Sequence, residues 1–155
     1  MTGRGGTLLG LDLGGRRIGV AIAEDATGAR PLTTLPRGRT IEQDVELIGQ
    51  LAGRHAVTEL VVGLPLDMRG GEGHQAALTR DWADAVAAAL GLPLTLRDER
   101  LTSHVAETRI GAPKRGSGGG APSRTKRNAQ RARVDREAAA IILQDELDAR
   151  AAPGR

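Results

Sequence analysis

Three acidic positions carry the chemistry this sequence offers. Asp12 sits inside the apolar run TLLGLDL (7–13), which reads as a central strand buried on both faces. A carboxylate there is costly unless it is paired, hydrogen-bonded or bound to a cation. The alternative is a hydrogen bond to the Gly14–Gly15 turn, whose backbone N–H groups also suit a phosphate. Asp98 and Glu99 end a later strand in RDERLTS, and because side chains alternate, only one of them shares the face used by Asp12. Ion pairs with Arg97 and Arg100 at the surface are the competing reading. Asp135 is expected to open the last helix, with apolar Ala138, Ala139 and Ile142 at i+3, i+4 and i+7, so it begins a buried face. A helix N-cap is the alternative there.

Taken together, three carboxylates from one strand and two element ends can gather at one edge of a sheet. Oxygen-only ligation suits Mg²⁺ or Mn²⁺. Two such ions about 4 Å apart would activate water and stabilise the leaving oxygen of a phosphodiester. His55, His74 and His104 are scattered without zinc-type spacing, and the absence of cysteine removes thiolate metal sites, disulfides and cysteine catalysis.

The elements that position these acids follow from periodicity. TLLGLDL and RIGVAIAE (17–24) form a hairpin about Gly14–Gly15, with Ile18, Val20 and Ile22 on one face and Gly19, Ala21 and Ala23 small enough on the other for close helix packing. ARPLTTLP (29–36) adds a strand. Thr40 and Gln43 make a capping box for a helix whose stripe is Ile41, Val45, Ile48 and Leu51. Strand 58–64, a helix over about 74–90 with stripe Leu78, Trp82, Val86 and Leu90, strand 93–97, a short helix to about Ile110 and a last helix over about 133–149 complete the order. The fold class is therefore α/β: a mixed sheet opening with a β-hairpin, helices on both faces.

Length bounds the chain to one domain, 1–155, and no apolar run reaches the roughly 18 residues of a membrane span. With Asp12 in its apolar stretch the N-terminus does not read as a signal peptide, so a soluble protein of a reducing compartment is expected. Trp82 is the only aromatic residue, which disfavours RNA readers that stack bases on several rings. Basic charge is 20 Arg against 2 Lys, the residue better suited to bidentate phosphate contacts. Residues 111–133 hold seven basic groups (Lys114, Arg115, Arg124, Lys126, Arg127, Arg131, Arg133) and no acid, against 15 basic and 19 acidic groups elsewhere. That asymmetry fits a polyanion binder, and the glycines at 116 and 118–120 make the segment read as flexible. Arg16, Arg17 and Arg100 complete the expected nucleic-acid contacts.

LGLDLGGRRIGVAIAE, VVGLPLDMRGGEG, RDERLTS and VDREAAAIILQDELD resemble, in order and spacing, the four signature blocks of the YqgF nucleases, over about residues 8–148. These are Holliday-junction-resolvase-like proteins also described as pre-16S rRNA nucleases. The resemblance implies an RNase H-like fold, a cytoplasmic location and a divalent-metal site. By motif it places the catalytic and metal-binding carboxylates at Asp12, Glu99 and Asp135, choosing Glu99 over Asp98. Arg69 and Gly71 stand where the family carries an acid and a small hydroxyl residue, with Asp67 the acid nearby.

The expected function is metal-dependent hydrolysis of RNA, in 5′-end processing of precursor 16S rRNA, by a monomer or weak homodimer that does not bind membranes. A resolvase of branched DNA is the alternative, and cutting two strands symmetrically would require a dimer. A phosphotransferase of the sugar-kinase group needs a second domain to enclose its nucleotide. A non-catalytic RNA-binding protein would leave three poorly solvated carboxylates without a purpose.

Overall fold

The structure, a computed structural model, describes residues 6–24, 28–66, 71–99, 102–111 and 120–152. The elements are β1 (Thr7–Leu13), β2 (Arg17–Glu24), β3 (Arg30–Pro36), α1 (Ile41–Arg54), β4 (Glu59–Leu64), α2 (His74–Leu90), β5 (Leu94–Asp98), α3 (Thr102–Ile110) and α4 (Arg124–Ala151). They build a five-stranded sheet in the order β3-β2-β1-β4-β5. The β1–β2 and β2–β3 pairs are antiparallel, and β1–β4 and β4–β5 are parallel. Parallel neighbours need crossovers, supplied here by α1 ahead of β4 and α2 ahead of β5.

The sheet buries both faces, as the near-continuous apolar runs of β1, β2 and β4 require. One face packs Leu9, Leu11, Ile18, Val20 and Val62 against Ile48 of α1 and Trp82 and Val86 of α2. The other sets Leu8, Ala21, Ala23 and Val61 against Ala139, Ile142 and Leu143 of α4. α3 packs on α4 through Ala106, Ala138 and Ile141. The expected mixed sheet with helices on both faces is thus observed. Among the described residues no helix is long and apolar enough to cross a membrane.

Three local expectations differ. Ile41 and Leu78 are 39% and 48% exposed, although both lie on apolar stripes. α2 instead turns Ala76, Thr79 and Ala83 inward, where small side chains let it approach closely, and α1 buries Asp44. The largest difference is α4, which begins at Arg124 and not near 133. Ser123 supplies its N-cap, accepting from the Lys126 N–H at 3.1 Å. Residues 124–133 contain no Gly or Pro and are mostly strong helix formers, so the basic stretch is helical as far back as Arg124.

Candidate active site

Asp12 lies near the carboxyl end of β1, directly opposite Gly19 of β2. It shares a sheet face with Gly10, whose missing side chain leaves room for Leu143 and the Ala139 carbonyl of α4. Asp12 therefore points toward α4. A Cβ on Gly19 would stand 1.9 Å from the Asp135 carbonyl oxygen. Only glycine admits that approach, and it brings the Asp135 turn of α4 onto the sheet beside Asp12. The consequence is electrostatic: burial, and then the neighbouring Asp135 carboxylate, push the Asp12 carboxyl up from 3.8 to about 7.

Glu99 reaches the same face from the next strands. β5 pairs with β4 so that Arg97 lies opposite Gly63, and the Glu99 N–H extends the ladder by donating to the Leu64 carbonyl at 3.0 Å. A Cβ on Gly63 would meet Ile142 of α4 at 2.5 Å and Cγ of Glu99 at 3.3 Å. The Glu99 side chain is 8% exposed and Asp98 is exposed, so the geometry selects Glu99 as the inward acid. Asp12, Glu99 and Asp135 thus come from the carboxyl ends of two parallel strands and from the helix covering them. Open α/β sheets bind ligands at those strand ends.

Each flanking acid has an arginine. Arg17 Nε lies 2.5 Å from Asp135 Oδ2. Arg97 Nε lies 3.5 Å from Glu99 Oε2, and Arg97 Nη1 donates to Glu146 of α4 at 3.2 Å. Among the described residues, no three His, Asp or Glu side chains are closed up into a cage able to hold a metal ion. The acids occupy one face, and two of them carry a guanidinium partner, Arg17 on Asp135 and Arg97 on Glu99. Their donor set is oxygen only, and a cation between Asp12 and Asp135 would offset the repulsion that raises Asp12, so the residues fit a hard divalent ion.

Asp135 is not a helix cap. It lies well inside α4, whose cap is Ser123, with its neighbours Ala138, Ala139 and Ile142 buried as the periodicity implied. Of the basic residues expected to meet nucleic acid, Arg16 is exposed at the β1–β2 turn. Arg124, Lys126, Arg127, Arg131 and Arg133 are exposed on the turns of α4 that lead to Asp135. Arg17 is committed to Asp135. Arg100, Lys114 and Arg115 lie outside the described residues, as do Asp67 and Arg69. Gly19 is legible in the sequence as a close-packing position, whereas Gly63 gives no signal beyond a glycine near the end of a buried strand.

A mixed five-stranded sheet with one antiparallel partner to its central strand, and carboxylates gathered at its strand ends under a long helix, defines an RNase H-like nuclease. T. thermophilus RuvC, solved with a Holliday junction substrate, has this fold: TM-score 0.54 at 15% identity, over 93% of this chain and 95% of that one. The family profile described as "RuvX: Holliday junction resolvase" matches residues 6–149, and the chain belongs to that family. A Chloroflexus aggregans protein named "Putative pre-16S rRNA nuclease" is 45% identical over 148 residues, 95% of this chain and 96% of its own. One of the same name from Anaeromyxobacter sp. strain K is 47% identical over 144 residues, covering 92% and 97%. The enzyme class is a nuclease, a hydrolase of phosphodiester bonds, and divalent-metal dependence goes with that class.

Proposed function

We propose that this protein cuts RNA in the cytoplasm, at the 5′ end of precursor 16S rRNA, using Mg²⁺ or Mn²⁺ held by Asp12, Glu99 and Asp135. The whole chain, 1–155, would act as one nuclease unit. The observation that carries the reading is the seating of the Asp135 turn on Gly19, opposite Asp12, which places two carboxylates in a poorly solvated pair. The name shared by relatives at 45–47% identity supports the RNA substrate.

Divalent ions held by Asp12, Glu99 and Asp135 would supply charge neutralisation at the scissile phosphate and activation of the attacking water. The chain's own residues do the rest. Asp12, whose carboxyl is pushed up to about 7 by burial and by Asp135, would release its remaining proton to solvent on taking up a cation beside it. Arg17 and Arg97 hold Asp135 and Glu99 in place and give each a counter-charge. The exposed cations of α4 at Arg124, Lys126, Arg127, Arg131 and Arg133, with Arg100, Lys114 and Arg115, would bind successive phosphates and lead a strand to the acids. Such contacts fix register without reading sequence.

The test is cleavage of matched substrates with Mn²⁺, Mg²⁺ or EDTA: a precursor 16S 5′-leader RNA, an unrelated single-stranded RNA and a four-way DNA junction. Metal-dependent cutting of the leader RNA in preference to the junction is expected. Symmetric cutting of the junction with the RNA untouched would replace the reading by that of a resolvase, the activity in the family's description.

A further inference from the structure

On the α1 side of the sheet, beside the β1–β2 turn, lies a cleft of about 510 Å³ lined by Gly15, Arg16, Arg37, Gly38, Arg39, Thr40 and Ile41, with Asp44 beneath. We propose that this cleft binds an internal phosphodiester of the nucleic-acid strand, one or two nucleotides from the bond being cut. The inference rests on the nuclease reading above and adds a second anchoring point on the far side of the turn from the carboxylates.

The cleft is built. Asp44 is 1% exposed, and its Oδ1 accepts from the Gly38 N–H at 2.7 Å while its Oδ2 accepts from Trp82 Nε1 at 3.0 Å. Arg37 Nε lies 3.8 Å from Asp44, its Nη1 donates to the Gly14 carbonyl at 3.1 Å, and its N–H donates to the Arg16 carbonyl at 2.9 Å. The buried acid is thus occupied in fixing the segment after β3 against the hairpin turn. Arg16 and Arg39 are exposed, and among the described residues neither forms a salt bridge. The N-terminus of α1 opens at the same place, with Thr40 as its cap; Glu42 of that first turn is not part of the lining.

Three guanidinium groups against one bonded carboxylate leave the lining net positive, which selects an anion. Planar donors and helix N–H groups suit phosphate oxygens. The lining favours phosphate over a base, because it holds no Phe, Tyr, Trp or His ring to stack on, and Trp82 is buried at 2% exposure. Gly15 is three residues from Asp12, a reach of at most about 11 Å. A strand cut at Asp12 and passing over the β1–β2 turn would bring a neighbouring phosphate to the cleft.

Binding in EDTA, where no cleavage occurs, tests this by fluorescence anisotropy with a 12-nucleotide single-stranded RNA bearing a 5′-hydroxyl, between 50 and 200 mM salt. Arg39→Ala should lower the log–log salt slope by about 0.7, and Arg16→Ala with Arg39→Ala by about 1.4. The same fall is expected with a DNA oligonucleotide, since the phosphodiester is common to both. Arg54→Ala, at the other end of α1, should leave the slope as in wild type. Wild-type binding with no slope change in the double variant overturns the cleft and leaves the nuclease reading standing. Equal loss in Arg54→Ala overturns it as general electrostatics. The same strand with a 5′-phosphate is measured in parallel, and a slope change confined to it overturns the cleft in favour of a terminal phosphate. Absence of salt-dependent wild-type binding to either nucleic acid overturns both readings.

Discussion

Replacing Asp12 by asparagine should make the metal-free protein's stability less dependent on pH between 3.8 and about 7. In wild type the folded carboxyl ionises near 7 and the unfolded one near 3.8, so across that window the native state holds the extra proton. Folding stability is therefore full below 3.8, falls as pH rises through the window and levels off above about 7. At about 1.4 kcal/mol per pH unit the loss has a ceiling of about 4 kcal/mol. Asp12→Asn keeps the shape and removes the ionisation, so its stability relative to wild type should climb by up to that amount from pH 4 to pH 8. For a chain of this size that corresponds to a Tm difference growing by up to roughly 8–16 °C. Thermal melts in EDTA over that pH range measure it. Mn²⁺ at pH 8 should then raise the wild-type Tm by mass action and leave the variant nearly unmoved. Parallel pH profiles for the two proteins would refute the buried, Asp135-coupled carboxylate on which the site is built.

Gly19→Ala should destabilise the protein by about 3 kcal/mol, at the upper end for overpacking, because its Cβ meets Asp135 backbone and not a flexible side-chain end; chemical denaturation measures the cost. Arg97→Ala should cost about 1 kcal/mol and lower kcat more than it raises KM, since it leaves Glu99 and Glu146 without their shared cation but touches no substrate; steady-state cleavage separates the two constants. Arg124→Ala, Arg127→Ala and Arg131→Ala together should flatten the salt slope of RNA binding by roughly 2, for all sequences alike. An unchanged slope would make that helix face a bystander.

The strands, their order along the chain and two of the candidate acids were legible because they rest on strong local signals. β1, β2 and β4 are apolar runs long enough to be seen, and Thr40 caps α1 with Gln43 N–H donating to it at 3.3 Å as the capping box implied. Asp12 and Asp135 stood out as carboxylates on apolar faces, and burial confirms both faces. Glu99 against Asp98 was not decidable from alternation; the pairing of Arg97 with Gly63 settles it through register. The early start of α4 was hidden because its first turns bury only Gln130, so no apolar period marks them. Asp44 and Trp82 were unreadable as a pair, since their hydrogen bond joins residues 38 apart in sequence. Arg17 looked like a phosphate ligand beside a turn, and only the docking of α4 turns it toward Asp135.

The most direct measurement compares cleavage of one RNA, with Mn²⁺ at fixed pH, by wild type and by Asp12→Asn, Glu99→Gln and Asp135→Asn. Circular dichroism on each variant confirms an intact fold. Every variant should lose more than the roughly 10–100-fold typical of a group acting through a ligand, and Mn²⁺ should raise the Tm of none as it does wild type. A variant that cuts at the wild-type rate and keeps the full Mn²⁺ stabilisation would remove its residue from the site, and two such variants would contradict a three-carboxylate centre.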